Sequence, residues 1–315
     1  MKILANDGIS DSGVEELKKS GFEIITTNVA QEQLENYINT NNVVGLLVRS
    51  ATTVRKDLID KCPGLRLIGR GGVGMDNIDV AYARDKGLTV INTPGASSQS
   101  VAELVMGHLF AVSRFLYASY KNMETGEFAK LKKSYAKGVE LRGKTIGIIG
   151  FGRIGQSLAS YALGAGMNVV AIDQYTETAT ISLEIGGKDL DVQITPTNDL
   201  SSVIGDLDYI SLHVPKQADG SAVIQMKEFE MMKKGVRIVN AARGGVINEA
   251  DLKEAISQGI VAAAALDVFD NEPNPDASLT SHVNIACTPH IGAATVEAQD
   301  RIGTELADQI KSALI

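Results

Sequence analysis

Two rhythms of apolar and polar residues succeed one another along this chain. Short β-branched runs at 3–5, 22–25, 43–48, 65–68 and 89–91 are bounded by Gly, Asn, Asp or Pro, and each gap between them can hold one helix. Strands that are apolar on both faces need helices over both, so the alternation predicts βα units around a parallel sheet. From 97 to 121, Val101, Leu104, Val105, Leu109, Val112, Phe115 and Leu116 follow the i, i+3, i+4 spacing of one buried helix. A Lys-rich, weakly apolar stretch follows (Lys130, Lys132, Lys133, Lys137), and the alternation then restarts at 144–149 and runs to 284–287. The final amphipathic stretch, 293–314, has no further sheet unit beside it, and packing back on the first domain would give it a partner. The expected fold class is α/β, with two doubly wound parallel-sheet domains: 1–97 with 291–315, interrupted by 98–290. No repeat at a period of ~20–50 residues and no low-complexity tract breaks the pattern.

Composition narrows the function classes. A chain of 315 residues with 44% apolar content can fill about two domain cores, which excludes a disordered or fibrous protein. The 30 Lys and Arg against 38 Asp and Glu leave a net charge of −8 and no dense basic block, so nucleic acid is not the expected partner. Cys62 and Cys287 lie far apart without metal-ligand spacing; buried thiols in a reducing cytosol are expected, with no disulfide framework and no metal. The N-terminus reaches Asp7 and Gly8 before a signal-peptide core could form, and no apolar run approaches the ~18 residues of a membrane span. The expectation is a cytoplasmic protein with no membrane partner.

Gly150-Phe151-Gly152-Arg153-Ile154-Gly155 is a G-x-G-x-x-G. Among 31 glycines such a match can be a purely structural strand–helix turn, and its context is what raises it. The motif follows the run at 145–149 and opens a helical pattern (Ile154, Leu158, Tyr161, Ala162), and the next run, 168–172, ends in Asp173. Gly150 would allow the tight turn, Gly152 the approach of backbone N–H groups to a pyrophosphate, and Gly155 close helix–strand packing. Arg153 and Ile154 open the helix whose N-terminus supplies partial positive charge. Asp173 would accept from both adenosine ribose hydroxyls and repel a 2′-phosphate, and Gln174 and Tyr175 offer no cation to neutralise one, so NAD is favoured over NADP.

Downstream, three segments place polar groups where strands should end: Asn240-Ala241-Ala242-Arg243, Asp267 to Glu272, and Thr288-Pro289-His290-Ile291-Gly292. Ligands of open α/β sheets bind outside the carboxyl ends of strands, so these groups could share a crevice with the cofactor. An oxidised nicotinamide invites an alcohol substrate, whose hydroxyl proton a base must remove as hydride leaves carbon. His290 suits that task near neutral pH, Glu272 could hold its tautomer and favour the imidazolium, and Arg243 could fork onto a substrate carboxylate. Singly, each has an ordinary alternative: a structural histidine, solvated surface charges, and for Asp267 a strand-ending residue.

The ordered set GFGRIG, Asp173, His213-Val214-Pro215, NAARGG, LDVFDNEP and TPHIGAAT resembles the D-isomer-specific 2-hydroxyacid dehydrogenase family. The resemblance implies a Rossmann-type NAD domain inserted into a flavodoxin-like substrate domain, hinge closure over the cleft, and a homodimer or homotetramer. It also implies Arg243 on the substrate carboxylate, His290 as acid and base, Glu272 as its partner, and Asp267 near the nicotinamide. Further cofactor contacts are implied at His213, Val214, Pro215, Ala241 and Gly292.

Leu47 to Thr52, Gly69 to Asn77 and Asn92 to Gly95 are similar to the phosphoglycerate dehydrogenases within that family. Gly71-Gly72-Val73-Gly74 could form an anion nest of backbone N–H groups, with Arg49 and Arg70 at strand ends beside it. The expected substrate site is Arg49, Ser50, Arg70, Gly72, Val73, Gly74, Arg243 and His290, and the expected reaction is NAD-dependent oxidation of 3-phospho-D-glycerate to 3-phosphohydroxypyruvate in serine biosynthesis. The alternative enzyme reduces hydroxypyruvate or glyoxylate; an NAD-sensing corepressor-like protein is a third class, disfavoured because a sensor needs no general base. Val73 and Ala294 stand where threonine and serine are common in such enzymes, and Lys216 replaces a commonly apolar residue. Lys130, Lys132 and Lys133 could reach a phosphate across a subunit interface or form a solvated loop. Because the chain stops soon after its final helix, no C-terminal regulatory domain and no serine feedback through one are expected.

Overall fold

A computed structural model describes residues 1–315. Two units are distinguished by their internal packing: Met1–Ser98 with Ala293–Ile315, and Gln99–Gly292. In the first, β1 (Lys2–Ala5), β2 (Glu23–Ile25), β3 (Val43–Val48), β4 (Leu67–Arg70) and β5 (Thr89–Asn92) form one parallel sheet in the order β2-β1-β3-β4-β5. This is the flavodoxin-like order of a doubly wound sheet. Alternate residues of each strand serve opposite faces. Leu4, Leu46, Val48 and Ile68 pack with Leu34, Ile38, Leu58 and Ala83 from the helices Leu34–Asn41, Lys56–Lys61 and Val80–Asp85. Ile3, Leu47 and Leu67 pack on the other side with Leu17 of the helix Asp11–Lys19 and with Ile302, Leu306 and Ile310 of the helix Val296–Leu314.

The second unit carries β6 (Thr145–Ile149), β7 (Asn168–Ile172), β8 (Ala179–Ile185), β9 (Lys188–Ile194), β10 (Tyr209–Leu212), β11 (Val236–Asn240), β12 (Val261–Leu266) and β13 (Ile285–Cys287). Six of these form a parallel sheet in the order β13-β12-β11-β10-β6-β7, while β8 and β9 make a separate antiparallel hairpin. The hairpin departs from a purely parallel reading. Gly186 and Gly187, both at positive φ (60° and 75°), close it as the two-residue turn that matches strand twist. Its inner residues Ile181, Leu183 and Ile194 join the core beside Leu158 and Ala162. Beyond the edge strand β7, parallel pairing is reduced to a single bridge between Ile172 and Thr197.

A second departure concerns the long helix expected over 97–121. It is two helices, Ser98–Arg114 and Leu116–Asn122, separated by Phe115 in the left-handed conformation (φ 58°). The periodicity continues across the break, but tertiary partners take over the last-turn carbonyls: Val139 N–H donates to Ser113 O at 3.0 Å, and Arg237 Nε to Val112 O at 3.3 Å. The Phe115 ring stacks on Tyr135 with centroids 5.5 Å apart.

Helices Asp11–Lys19 and Val296–Leu314 cross backbone to backbone at Gly13 and Gly303. A Cβ on Gly13 would lie 2.8 Å from the Gly303 carbonyl carbon and oxygen. Alanine would add about 1 kcal/mol of helix propensity, but the obstacle is main chain, and overpacking of that kind costs about 1–3 kcal/mol. Gly13→Ala is therefore expected to lower the midpoint of urea unfolding, whereas alanine at exposed, positive-φ-free Gly64, where a Cβ meets nothing within 4 Å, should leave it within error.

Candidate active site

The six-stranded sheet presents the carboxyl ends of adjacent strands along one edge, from Asp173 after β7 to the segment after β13. After β6, Gly150 (φ 92°) turns the chain; a Cβ there would lie 2.5 Å from the His213 carbonyl oxygen after β10. A Cβ on Gly155 would collide with the Gly150 carbonyl, so these two glycines answer to the chain's own packing. Gly152 does not: its φ is −74° and a Cβ would meet nothing within 4 Å. It leaves an open, exposed backbone at the first turn of the helix Arg153–Gly164, a surface that fits a pyrophosphate. Arg153 is exposed beside it, Ile154 half-buried.

Asp173 is anchored from both sides. Its Oδ2 accepts from Phe151 N–H at 2.6 Å, and Oδ1 accepts from Tyr175 N–H at 2.7 Å and Thr176 N–H at 2.8 Å. Partial burial pushes its carboxyl up, but these backbone donors outweigh it and hold the group below its ordinary range. The charge stays at the strand end that faces the glycine turn. His213 has Nε2 on Ser211 Oγ at 2.8 Å, while Nδ1 is buried with no partner within the chain. Burial pushes this imidazole down to about 4, so it is neutral at physiological pH. Val214 is half-buried beside it and packs on the adjoining core; Pro215 follows in the same loop.

At the ends of β11, β12 and β13 the ionisable groups converge. Asn240 holds the turn after β11: its Nδ2 donates to Arg243 O at 2.9 Å and its Oδ1 accepts from Ala242 N–H at 3.0 Å. Ala241 lies in this turn, and Gly244 lets it press on the Phe269 carbonyl, where a Cβ would not fit. Phe269 N–H donates to Glu272 Oε1 at 2.9 Å, and Glu272 Oε2 meets His290 Nδ1 at 2.7 Å. Burial pushes the Glu272 carboxyl up, but the His290 and Phe269 hydrogen bonds and the charges of His290 and Arg243 bring it below its ordinary value. With Nδ1 held, Nε2 is the nitrogen able to exchange a proton with a ligand. A cavity of about 380 Å³ opens beside the pair, lined by Phe269, Pro273, Pro275, Cys287, Thr288 and Pro289 among others.

His290 itself stands at φ 53°, a left-handed backbone that few non-glycine residues adopt, histidine more often than most. Asp267, 1% exposed, holds the loop around it: Oδ1 accepts from Thr288 Oγ1 at 2.6 Å and Ile291 N–H at 2.9 Å, Oδ2 from Gly292 N–H at 2.9 Å. Ser100 Oγ closes the loop on Gly292 O at 2.8 Å. Thr288, Asn240 and Ser100 were not singled out from the sequence, because uncharged hydroxyl and amide side chains carry no pattern of their own.

In the other unit, Arg49 directly follows β3, and Arg70 is the last residue of the neighbouring β4, in register with Val48. Asp7 Oδ2 accepts from Arg49 N–H at 2.6 Å and Asn77 Nδ2 donates to Arg49 O at 2.9 Å, fixing the backbone of this loop with Ser50 exposed on it. The expected anion nest is smaller than the glycines suggest. Gly71 N–H donates to Val48 O at 2.9 Å and Gly72 N–H to Thr93 Oγ1 at 2.8 Å, so two of the four amides are already bonded within the fold. Gly72, at φ 135°, also makes room for the Arg70 guanidinium, which a Cβ there would strike.

Residues 106–292 match the profile of the D-isomer specific 2-hydroxyacid dehydrogenase NAD binding domain. A D-3-phosphoglycerate dehydrogenase of Methanocaldococcus jannaschii is 41% identical over 314 residues, 100% of this chain and 57% of the relative. A hydroxypyruvate reductase of Thermotoga maritima is 41% identical over 313 residues, covering 98% of this chain and 97% of the relative. Among solved structures, a glyoxylate reductase from Paecilomyes thermophila superposes with a TM-score of 0.84 at 26% identity, over 99% of this chain and 94% of that one.

The depressed Glu272 value makes the carboxylate's stabilising contribution full above the ordinary glutamate range near 4.3, and it should be lost as pH falls through that depressed value. A side-chain carboxyl NMR titration should place Glu272 below that range. In His290→Ala the burial remains while two of the opposing influences are gone, and the midpoint should move up.

Proposed function

Because this chain belongs to the D-isomer-specific 2-hydroxyacid dehydrogenases, we propose that it transfers hydride between NAD and a phosphorylated three-carbon acid, oxidising 3-phospho-D-glycerate to 3-phosphohydroxypyruvate. The observation that carries the enzyme reading is the 2.7 Å contact between His290 Nδ1 and Glu272, set beside Arg243 on the same sheet edge as the glycine turn. When bound, the oxidised nicotinamide would supply the acceptor for the hydride leaving C2. Arg243 forks onto the substrate carboxylate and orients C2. His290 Nε2 takes the C2 hydroxyl proton as the carbonyl forms, and returns it in the reverse direction. Glu272 keeps Nδ1 protonated and stabilises the imidazolium produced.

Support for NAD over NADP comes from Asp173, held ionised at the β7 end, where a 2′-phosphate would meet a negative charge that neither Gln174 nor Tyr175 after it could neutralise. The open backbone at Gly152 and the buried Nδ1 of His213 fit a dinucleotide, the first by admitting phosphate, the second as a buried polar atom that a bound ligand could pair. Asp267, Ala241 and Gly292 line the nicotinamide end in this reading. A phosphorylated substrate is supported by two guanidinium-bearing residues, Arg49 and Arg70, at neighbouring strand ends.

A second reading, reduction of unphosphorylated hydroxypyruvate or glyoxylate, is favoured by one observation: the Gly71 and Gly72 amides are already bonded within the fold, so fewer donors face an anion. A steady-state panel of 3-phosphoglycerate, hydroxypyruvate, glyoxylate and lactate/pyruvate pairs with NAD and NADP separates the readings. The proposal expects the highest kcat/KM for 3-phosphoglycerate with NAD. His290→Ala should lower kcat by about 10²–10⁴-fold. Arg70→Ala should raise KM for 3-phosphoglycerate by about 10–100-fold, the loss of one charge-assisted hydrogen bond, and change KM for hydroxypyruvate little; equal changes would favour the second reading.

A further inference from the structure

His108 lies on the core-facing side of the helix Ser98–Arg114 and is 1% exposed. Its Nε2 is 3.1 Å from Thr288 Oγ1, its Nδ1 is 3.4 Å from Tyr117 Oη, and its ring stacks on Tyr117 with centroids 6.0 Å apart. The polarity of this chain follows from the hydrogens available. Thr288 has one hydroxyl hydrogen and gives it to Asp267 Oδ1 at 2.6 Å, where Ile291 N–H also donates. Thr288 can therefore only accept from His108, which places the imidazole hydrogen on Nε2. Nδ1 is then bare and accepts from the Tyr117 hydroxyl. Burial lowers the His108 pKa against the opposing pull of Asp267, and burial raises that of Tyr117, so both stay neutral as the chain requires.

We propose that His108 is a positioning residue for His290. The one-way chain Tyr117 to His108 to Thr288 to Asp267 fixes the carboxyl group that grips both Ile291 and Gly292, and so holds the left-handed backbone at His290 with Nδ1 aimed at Glu272. The chain also crosses the helix break at Phe115, since Tyr117 belongs to the helix Leu116–Asn122 and His108 to the one before it. Its catalytic consequence rests on the reading that His290 exchanges the substrate proton; its structural consequence does not.

The test uses the full-length protein and four variants. His108→Leu removes both hydrogen bonds at similar volume, His108→Gln keeps a donor near the Nε2 position, Thr288→Val removes the relaying hydroxyl at equal shape, and the fourth is the Leu/Val double variant. His108→Leu and Thr288→Val should each lower kcat by about 10–100-fold, with the Kd for NADH, read by fluorescence, within about 2-fold of the parent, the scale of a modest perturbation. The double variant should lose no more than either single one, as expected of residues in one chain, and His108→Gln should recover most of the loss. An unchanged kcat in both single variants, additive losses, or a glutamine variant no better than leucine would overturn the proposal in favour of core packing. Should the leucine variant not fold, Thr288→Val and His108→Gln carry the same comparison. A readout independent of turnover is the downfield proton resonance of the His290–Glu272 hydrogen bond. It should weaken in His108→Leu and Thr288→Val, and its persistence at full intensity would overturn the positioning role. A parent protein inactive on every acid tested would overturn the reading of His290 as catalytic base while leaving this resonance to decide the role of His108.

Discussion

One buried carboxyl group organises the chemistry-bearing end of this molecule. Asp267 follows β12, is 1% exposed, and accepts three hydrogen bonds from the loop that carries His290. A buried acid is costly unless its oxygens meet donors, and here the donors are the two backbone amides after His290 and the hydroxyl of Thr288 before it. The loop therefore cannot relax from its left-handed turn without stranding those groups. The left-handed turn at His290 is thus held by the same carboxyl group, and from that turn the ring meets Glu272 at 2.7 Å.

The parallel sheet explains why such different residues meet. All six strands of the larger unit end on one side, so each strand contributes the residue after its last hydrogen bond to a common edge. The edge is chemically graded. The β7 end carries Asp173, held ionised by amides of its own turn, beside an exposed backbone at Gly152. The β11 to β13 end carries Arg243, Glu272 and His290, where opposite charges compensate one another. In the proposed function, the first end would take a ribose and pyrophosphate and the second a small acid undergoing proton transfer.

The smaller unit follows the same logic with different residues. Arg49 and Arg70 are placed by neighbouring strands, and their loops are fixed by Asp7, Asn77 and Thr93 rather than by contacts among the cations themselves. The glycine-rich turn 71–74 spends its first two amides on the fold, leaving at most two for an anion. A glycine-rich turn is thus a poor measure of anion-binding capacity until the destinations of its amides are known.

Local pattern was enough to read the α/β class and the parallel sheets, because strands covered on both faces are written as uninterrupted apolar runs. It was also enough to mark Gly150 to Gly155, Asp173, Arg243, Glu272 and His290 as residue types suited to one chemistry, since each sits where a run ends. The β8–β9 hairpin was within reach of the same reading, signalled by Gly186-Gly187 between alternating residues. The break at Phe115 was not, because Val139 and Arg237, distant in sequence, take the carbonyls that would have continued the helix. Nor were the roles of His108 and Thr288: a histidine on an apolar helix face looks like any core residue until the fold brings a hydroxyl 180 positions away to within 3.1 Å. Periodicity records which side of an element is buried, whereas the partners of a buried polar atom are chosen by packing between elements, and that choice is made only in three dimensions.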